Sequence, residues 1–362
     1  MQNGKFSMSR RQLLALSGAG AVSLALPGSV LGAEENHLTL LMGSGGPLLP
    51  WSPSFVAEAN GYFKEEGITV ERIYTRSGPQ GIATLVSGAG DSYYTAPGEL
   101  LVAVGRGQKL KVIMGQAVYH ALFFLISKEY AAKHGLTGDM PFEKRLELAK
   151  GFKGIRCGIT SPGSVTDHCA RQVMAQIGLD PTKDAQIVPV QSVENTISAM
   201  TSGSIDAMVI PSPTSERAQD QLGAVVCFSV GKDEVQDFKD VTGHVVEARA
   251  EDVDAKPDLY RAMIRAETKG LRYIIEHPDE AGEIVYKSQF AANIAPEIWK
   301  TMWANNLDPF KSPYVTRTSL ENWVKLGMVP GVNDVAAIDL DSVLDMRFVD
   351  EALKDIGWKP PA

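Results

Sequence analysis

Residues Thr69-Val70-Glu71-Arg72-Ile73-Tyr74-Thr75-Arg76-Ser77-Gly78-Pro79-Gln80-Gly81-Ile82-Ala83-Thr84-Leu85-Val86-Ser87-Gly88 decide the fold class. Thr69 to Tyr74 reads as a strand. Thr75 to Pro79 is turn chemistry, with Gly and Pro where a helix begins. Gln80 to Ser87 then reads as a helix closed by Gly88. The unit is one strand followed by one crossover helix, and it recurs. Leu38 to Met42 is a strand, and Ser54 to Ala59 a helix with Ser52 as its cap and Pro53 in its first turn. Ser92 to Thr95 is a strand, Glu99 to Val104 a helix closed by Gly105, and Leu110 to Met114 a strand. Strands alternating with helices predict a mainly parallel sheet covered on both faces.

A second set follows. Ile155 to Ile159, Ile187 to Val190 and Ala207 to Ile210 read as strands; Ser164 to Ile177 and Val193 to Ser202 read as helices. In the first of these helices Val165, Cys169, Val173 and Ile177 recur every four residues on one face. Ala224 to Val230 returns the chain. After Thr242 the pattern is helical: Asp258 to Glu276, Pro278 to Tyr286, Pro296 to Asn305, Thr318 to Leu326 and Val343 to Ile356. The predicted fold is α/β and two-lobed, with a ligand cleft between the lobes. Lobe 1 comprises residues 34–122 and 240–362, and lobe 2 residues 123–239.

Ser9-Arg10-Arg11-Gln12-Leu13-Leu14, then an apolar run from Ala15 to Leu26, reads as a twin-arginine export signal over residues 1–33. The run is shorter than the roughly 20 residues a membrane anchor needs. The expected location is the periplasm. Of 362 residues, 44% are hydrophobic and 22% charged, which is a globular composition. The formal net charge of −8, with no basic block, argues against nucleic acid as a partner, because phosphate neutralisation needs clustered Lys and Arg. Cys157, Cys169 and Cys227 are too few for a disulfide scaffold and lack metal-ligand spacing. They are expected to be buried and small, although one pair could bridge in an oxidising compartment.

Ligands of parallel sheets bind beyond the carboxyl ends of the strands. Here those loops are Gly43 through Trp51-Ser52, Thr75 to Gln80, Thr95 to Gly98 and Ser161 to Ser164. Their Gly, Ser, Thr and Pro content exposes backbone N–H groups at helix starts, which suits an anion or a polar acceptor. Ser164 with Asp167 three residues on is a capping-box pattern, and Gly163 and Ser164 could also donate to an oxyanion. Arg76 could pair bidentately with a carboxylate or sulfonate. Trp51, Tyr93, Tyr94, Tyr119 and His120 could wall the cleft, with at most one of the adjacent Tyr93 and Tyr94 reaching it. The candidate ligand-binding residues are Ser44, Trp51, Arg76, Ser77, Gly78, Gln80, Tyr94, Thr95, Pro97, Tyr119, His120, Ser161, Gly163, Ser164, Val165 and Pro211. Helix starts and Arg76 favour an anion. An aromatic lining with Glu99 and Glu194 nearby would suit an aminopyrimidine or aromatic acid instead. No serine-hydrolase elbow, zinc-protease motif, phosphate loop or complete dinucleotide fingerprint follows the signal-like segment. No catalytic residue, metal or cofactor is therefore expected.

Ala57-Glu58-Ala59-Asn60-Gly61-Tyr62-Phe63-Lys64-Glu65-Glu66-Gly67-Ile68-Thr69-Val70, Gly203-Ser204-Ile205-Asp206-Ala207 with Pro211, Lys256-Pro257-Asp258, His277-Pro278-Asp279-Glu280-Ala281 and Leu344-Asp345-Met346-Arg347-Phe348-Val349-Asp350-Glu351-Ala352 occur in that order. Together they resemble the nitrate/sulfonate/taurine/thiamine-precursor-binding family of type II periplasmic binding proteins. The resemblance implies a monomeric clamshell that closes on a small solute and delivers it to the permease and ATPase subunits of an ABC importer. It also implies ligand loops at Gly43 to Ser52, Ser77 to Gln80, Thr95 to Gly98, Ser161 to Thr166 and Pro211 to Pro213. The proline-rich first loop, Gly46-Pro47-Leu48-Leu49-Pro50-Trp51, and an apparent insertion from Thr137 to Lys150 depart from the family pattern. An enzyme on the same scaffold, acting on a heterocycle, is the alternative; the cysteine-rich motif of the pyrimidine-making relatives is absent.

Overall fold

Ten strands form two five-stranded sheets in a computed structural model that describes residues 36–119, 121–230, 234–235, 238 and 240–361. The signal-like segment 1–33 and His120 lie outside the described residues. The strands are β1 (Asn36–Met42), β2 (Ile68–Tyr74), β3 (Ser92–Thr95), β4 (Leu110–Gly115), β5 (Leu122–Ile126), β6 (Arg156–Ile159), β7 (Gln186–Pro189), β8 (Ala207–Pro211), β9 (Val225–Ser229) and β10 (Val245–Arg249). The first sheet has the order β2-β1-β3-β10-β4 and the second β7-β6-β8-β5-β9.

The β1-β2-β3 and β6-β7-β8 runs are parallel, as the strand–helix alternation predicts. Each sheet also holds one antiparallel strand: β10 between β3 and β4, and β5 between β8 and β9. These two strands follow the segments that carry the chain from one sheet to the other. The sequence patterns hid both. β10 reads Val245-Val246-Glu247-Ala248-Arg249, and its two charged residues break the apolar run.

The helix Pro257–Glu276 buries Tyr260, Met263, Ile264, Leu271 and Ile274 along one stripe against the first sheet's core. It packs on the helices Ser52–Ala59 and Arg347–Asp355. The approach to Ser52–Ala59 is close enough that a Cβ on Gly270 would sit 2.1 Å from the Pro53 carbonyl oxygen. Gly270→Ala is therefore expected to lose about 1–3 kcal/mol of stability despite alanine's better helix propensity. Urea unfolding checks this; an unchanged or raised midpoint refutes it.

Two further differences have local causes. The helix expected over Val343 to Ile356 is split into Leu340–Val343 and Arg347–Asp355. Between them the chain straightens to extend the first sheet's edge, where the Asp345 N–H donates to the Val112 carbonyl at 2.9 Å. The Thr137 to Lys150 segment contains a helix, Phe142–Ala149, that covers β9. Its Arg145 donates to the Cys227 carbonyl and pairs with Glu234 at 2.6 Å. All three cysteines are free and fully buried, and burial pushes their thiol pKa values upward.

Candidate functional site

β1, β2 and β3 end side by side, and the loops that follow them form one wall of a cavity. Gly43 and Ser44 follow β1, Thr75 to Gly78 follow β2, and Ala96 follows β3 before the helix Gly98–Gly105. The loops are tied to each other: the Thr75 hydroxyl donates to the Met42 carbonyl at 3.0 Å, and the Gly43 N–H to the Tyr94 carbonyl at 3.0 Å. Tyr93 supports them from below. Its hydroxyl donates to the Gly78 carbonyl at 3.3 Å. A Cβ on Gly43 would meet that hydroxyl at 2.9 Å, and one on Gly81 would meet the ring at 2.2 Å. Glycine at those positions lets the loops settle onto the phenol.

The opposite wall comes from the second sheet, where Thr160 to Thr166 follow β6 and Pro211 ends β8. Thr160, Ser164 and Thr166 hold a triangle of hydroxyls at 2.9, 3.0 and 2.9 Å. The triangle lies at the start of the helix Val165–Gln176, where Ser164 accepts from the Asp167 N–H at 3.4 Å. Asp167 turns back to the Gly163 N–H at 2.9 Å, and Gly163 has φ 79°, a left-handed geometry that favours glycine.

The enclosed space is about 60 Å³. The helices Gly78–Val86, Gly98–Gly105 and Val165–Gln176 begin at its edge, and each start carries roughly half a positive charge. The Ser44 hydroxyl is buried on the wall with no hydrogen-bond partner among the described residues. Such an orphan is uncommon in a folded protein and is expected where a ligand binds. Glu99 and His244 also line the space. Burial pushes the Glu99 carboxyl up to about 7 and the His244 imidazole down to about 4, so His244 is neutral at physiological pH.

Half of the sequence-derived candidates meet here: Ser44, Arg76, Ser77, Gly78, Thr95, Ser164, Val165 and Pro211 line the cavity. Gln80 faces its own loop, where its side-chain oxygen accepts the Arg76 N–H at 3.1 Å. Pro97, which precedes the helix Gly98–Gly105, and Ser161 do not line the cavity, although the buried Ser161 hydroxyl has no hydrogen-bond partner among the described residues. The Gly163 N–H, expected to serve a ligand, is taken by Asp167.

Among the described residues the expected aromatic wall does not form. Trp51 is fully buried, with its ring 6.4 Å from Tyr74 and 5.9 Å from His244. Tyr94 points to the other face of the first sheet and donates to Glu267 at 2.7 Å. Strand alternation sends its neighbour Tyr93, not Tyr94, beneath the cleft loops. Tyr119 donates to Asp308 at 2.7 Å beside a separate groove lined by Met302 and Asn306. His244 was missed because it precedes β10, which the sequence patterns did not reveal.

Among the described residues no group of three His, Cys, Asp or Glu could hold a metal ion, and no helix is long and apolar enough to cross a membrane. No curated protein matches the chain. Many solved structures do. A protein of Bordetella bronchiseptica RB50 aligns at 20% identity and TM-score 0.74, over 90% of this chain and 99% of its own. The periplasmic nitrate-binding protein NrtA of Synechocystis PCC 6803 aligns at 17% and 0.65, over 89% of each chain. The alkanesulfonate-binding protein SsuA of Xanthomonas axonopodis pv. citri, bound to MOPS, aligns at 14% and 0.66, over 87% and 99%. A DszB mutant in complex with biphenyl-2-sulfinic acid shares the fold too. These likenesses establish the two-lobed fold of the periplasmic binding proteins. The family model of the NMT1-like family matches residues 34–286, and the chain belongs to that family.

Proposed function

We infer that the chain is a periplasmic solute receptor of an ABC importer that captures a compact acidic solute, a sulfonate, nitrate or small carboxylate, between its lobes. The observation that carries this reading is the convergence of three helix starts, the Thr160–Ser164–Thr166 hydroxyls and the unpartnered Ser44 hydroxyl on one cavity. The relatives that bind nitrate and alkanesulfonate lend it support. With Trp51 and Tyr94 packed into the core, the cavity offers hydroxyl and helix-start donors and lacks an aromatic face from either of them for a ring to stack on, which favours such a solute over an aromatic acid or a pyrimidine. Lobe 1 is 34–122 with 240–362, and lobe 2 is 123–239. Residues 1–33 direct export by the twin-arginine route, and the receptor works as a monomer that docks on the permease. Closure is a rigid-body movement that the solute favours through contacts made only in the closed state.

A thermal-shift panel tests the reading. Sulfonates, nitrate and small carboxylates are expected to stabilise the protein, by about 2.7 kcal/mol at 100 times the dissociation constant. Stabilisation confined to aromatic acids or thiamine pyrimidines overturns the choice of ligand. A second reading, an enzyme on this scaffold, draws on the DszB likeness and on a Glu99 carboxyl tuned near neutrality. Mass spectrometry separates the two: a receptor returns its ligand unchanged.

A further inference from the structure

Among the described residues that line the cavity, Glu99 is the one carboxylic acid and Arg76 the one guanidinium. Across from the hydroxyl triangle and the start of the helix Val165–Gln176 stands Glu99. Its carboxylate reaches the cavity because residue 78 has no side chain: a Cβ there would lie 2.1 Å from Glu99 Oε1. No Lys, Arg or His side chain among the described residues makes an ion pair with Glu99. Glu247, fully buried on β10, lies nearby; burial and Glu99 raise its carboxyl well above the usual range, so it supplies no cation to Glu99, and neither of its oxygens has a hydrogen-bond partner among the described residues. Glu99 is therefore a carboxylate without an ion-pair partner, on the wall that also carries Arg76 and the starts of the helices Gly78–Val86 and Gly98–Gly105, while the solute's own acid belongs at the hydroxyl triangle. The Ser44 hydroxyl points independently to a ligand in the same space: it is 3% exposed and unpartnered.

We propose that Glu99 selects a solute that carries a protonated nitrogen as well as an acidic group. The nitrogen donates to the Glu99 carboxylate, and the acid's oxygens accept from the Ser164 and Ser44 hydroxyls and the N–H groups at the helix start. A purely anionic solute leaves the Glu99 carboxylate unpaired and faces its charge, so the residue discriminates by repulsion as well as attraction. Gly78 positions Glu99 rather than touching the nitrogen. The inference rests on the receptor reading above and narrows its solute class to small zwitterions.

Calorimetric titration with matched pairs tests it: taurine against ethanesulfonate, and β-alanine against propionate. Each pair differs chiefly in the ammonium group. The zwitterion is expected to bind at least tenfold more tightly in one pair or both. In Glu99→Gln that ratio should fall to within threefold of one. Gly78→Ala, which keeps the carboxylate but displaces it, should also shrink the ratio, and a melting curve shows that each variant is folded. Equal affinity within both pairs, or an unchanged ratio in Glu99→Gln, overturns the role of Glu99 and leaves the receptor reading standing. No binding of any of these four probes, nor of the wider panel above, overturns both.

Discussion

Gly243→Ala is expected to weaken solute binding at least tenfold and to remove about 3 kcal/mol of stability, the upper end of the usual overpacking range. The two segments that cross between the sheets lie against each other at this residue. The Gly243 N–H donates to the Ala117 carbonyl at 3.0 Å, and the Gln116 and Ala117 N–H groups donate to the His244 carbonyl at 2.8 and 3.2 Å. A Cβ on Gly243 would lie 2.3 Å from the Tyr119 carbonyl oxygen and 2.6 Å from its carbon. Those are backbone atoms and cannot rotate aside, so the segments must part. The φ of Gly243 is not in the left-handed region, which makes the conflict one of space. Binding suffers with stability because the next residue, His244, lines the cavity, and because any change in how these segments meet alters the angle between the lobes. Titration with the tightest probe and urea unfolding read the two effects. A variant with wild-type affinity and midpoint would show that the contact is slack.

The parts of this molecule that sequence patterns revealed are those whose physics is local. Gly78-Pro79 at a helix start, Gly88 at a helix end and the four-residue spacing from Val165 to Ile177 each involve neighbours along the chain. So does Ser164, whose cap is visible as Ser164-x-x-Asp167 and is observed in the structure. What stayed hidden is set by partners distant in sequence. β5 and β10 become strands because β8, β9, β3 and β4 leave edges for them. Leu344 leaves the helical pattern because Val112 offers it a place on the sheet. The site divides in the same way. Loop residues that follow strands, such as Ser44, Ser77 and Thr95, could be located from strand ends alone. Which of Tyr93 and Tyr94 faces the cleft depends on the pleat of a strand only four residues long, and sequence alone does not set its phase. Trp51 reads as a cleft aromatic in a proline-rich loop, yet that loop folds inward and places the indole in the core.

Between pH 7 and 9 the wild-type protein is expected to lose stability as pH rises, and Glu247→Gln is expected to lose less. Glu247 is completely buried, with neither oxygen paired, and Glu99 adds its repulsion, so its folded-state pKa stands well above the usual 4.5. The folded protein then holds a proton that the unfolded chain has already released. Stability from that proton is complete below pH 4.5 and declines as pH climbs towards the folded-state pKa, by up to about 1.4 kcal/mol per pH unit. The buried thiols of Cys157, Cys169 and Cys227, raised by burial while the unfolded chain's thiols titrate near 8.5, add a loss of the same sign towards pH 9, so the comparison with Glu247→Gln, which leaves them unchanged, isolates the effect. His134, His168 and His244, all lowered mainly by burial, are neutral in both states above pH 7, and the unfolded chain's own imidazoles titrate near 6.5. Carboxylates held down by partners, such as Asp180 and Asp308, are ionised in both states. Glu99, raised to about 7, finishes titrating in the lower part of the window and adds a loss of the same sign. Glu267 is raised by burial, but it accepts from Tyr94 and Gln116, which favour its charged form, so it adds less than Glu247. The glutamine keeps the shape and cannot ionise; it also relieves Glu99 of a like charge. Urea midpoints at pH 7, 8 and 9 decide the matter. A wild-type protein whose stability is flat or rises over that window, or a variant with the same slope as wild type, would mean that Glu247 is solvated or paired in solution.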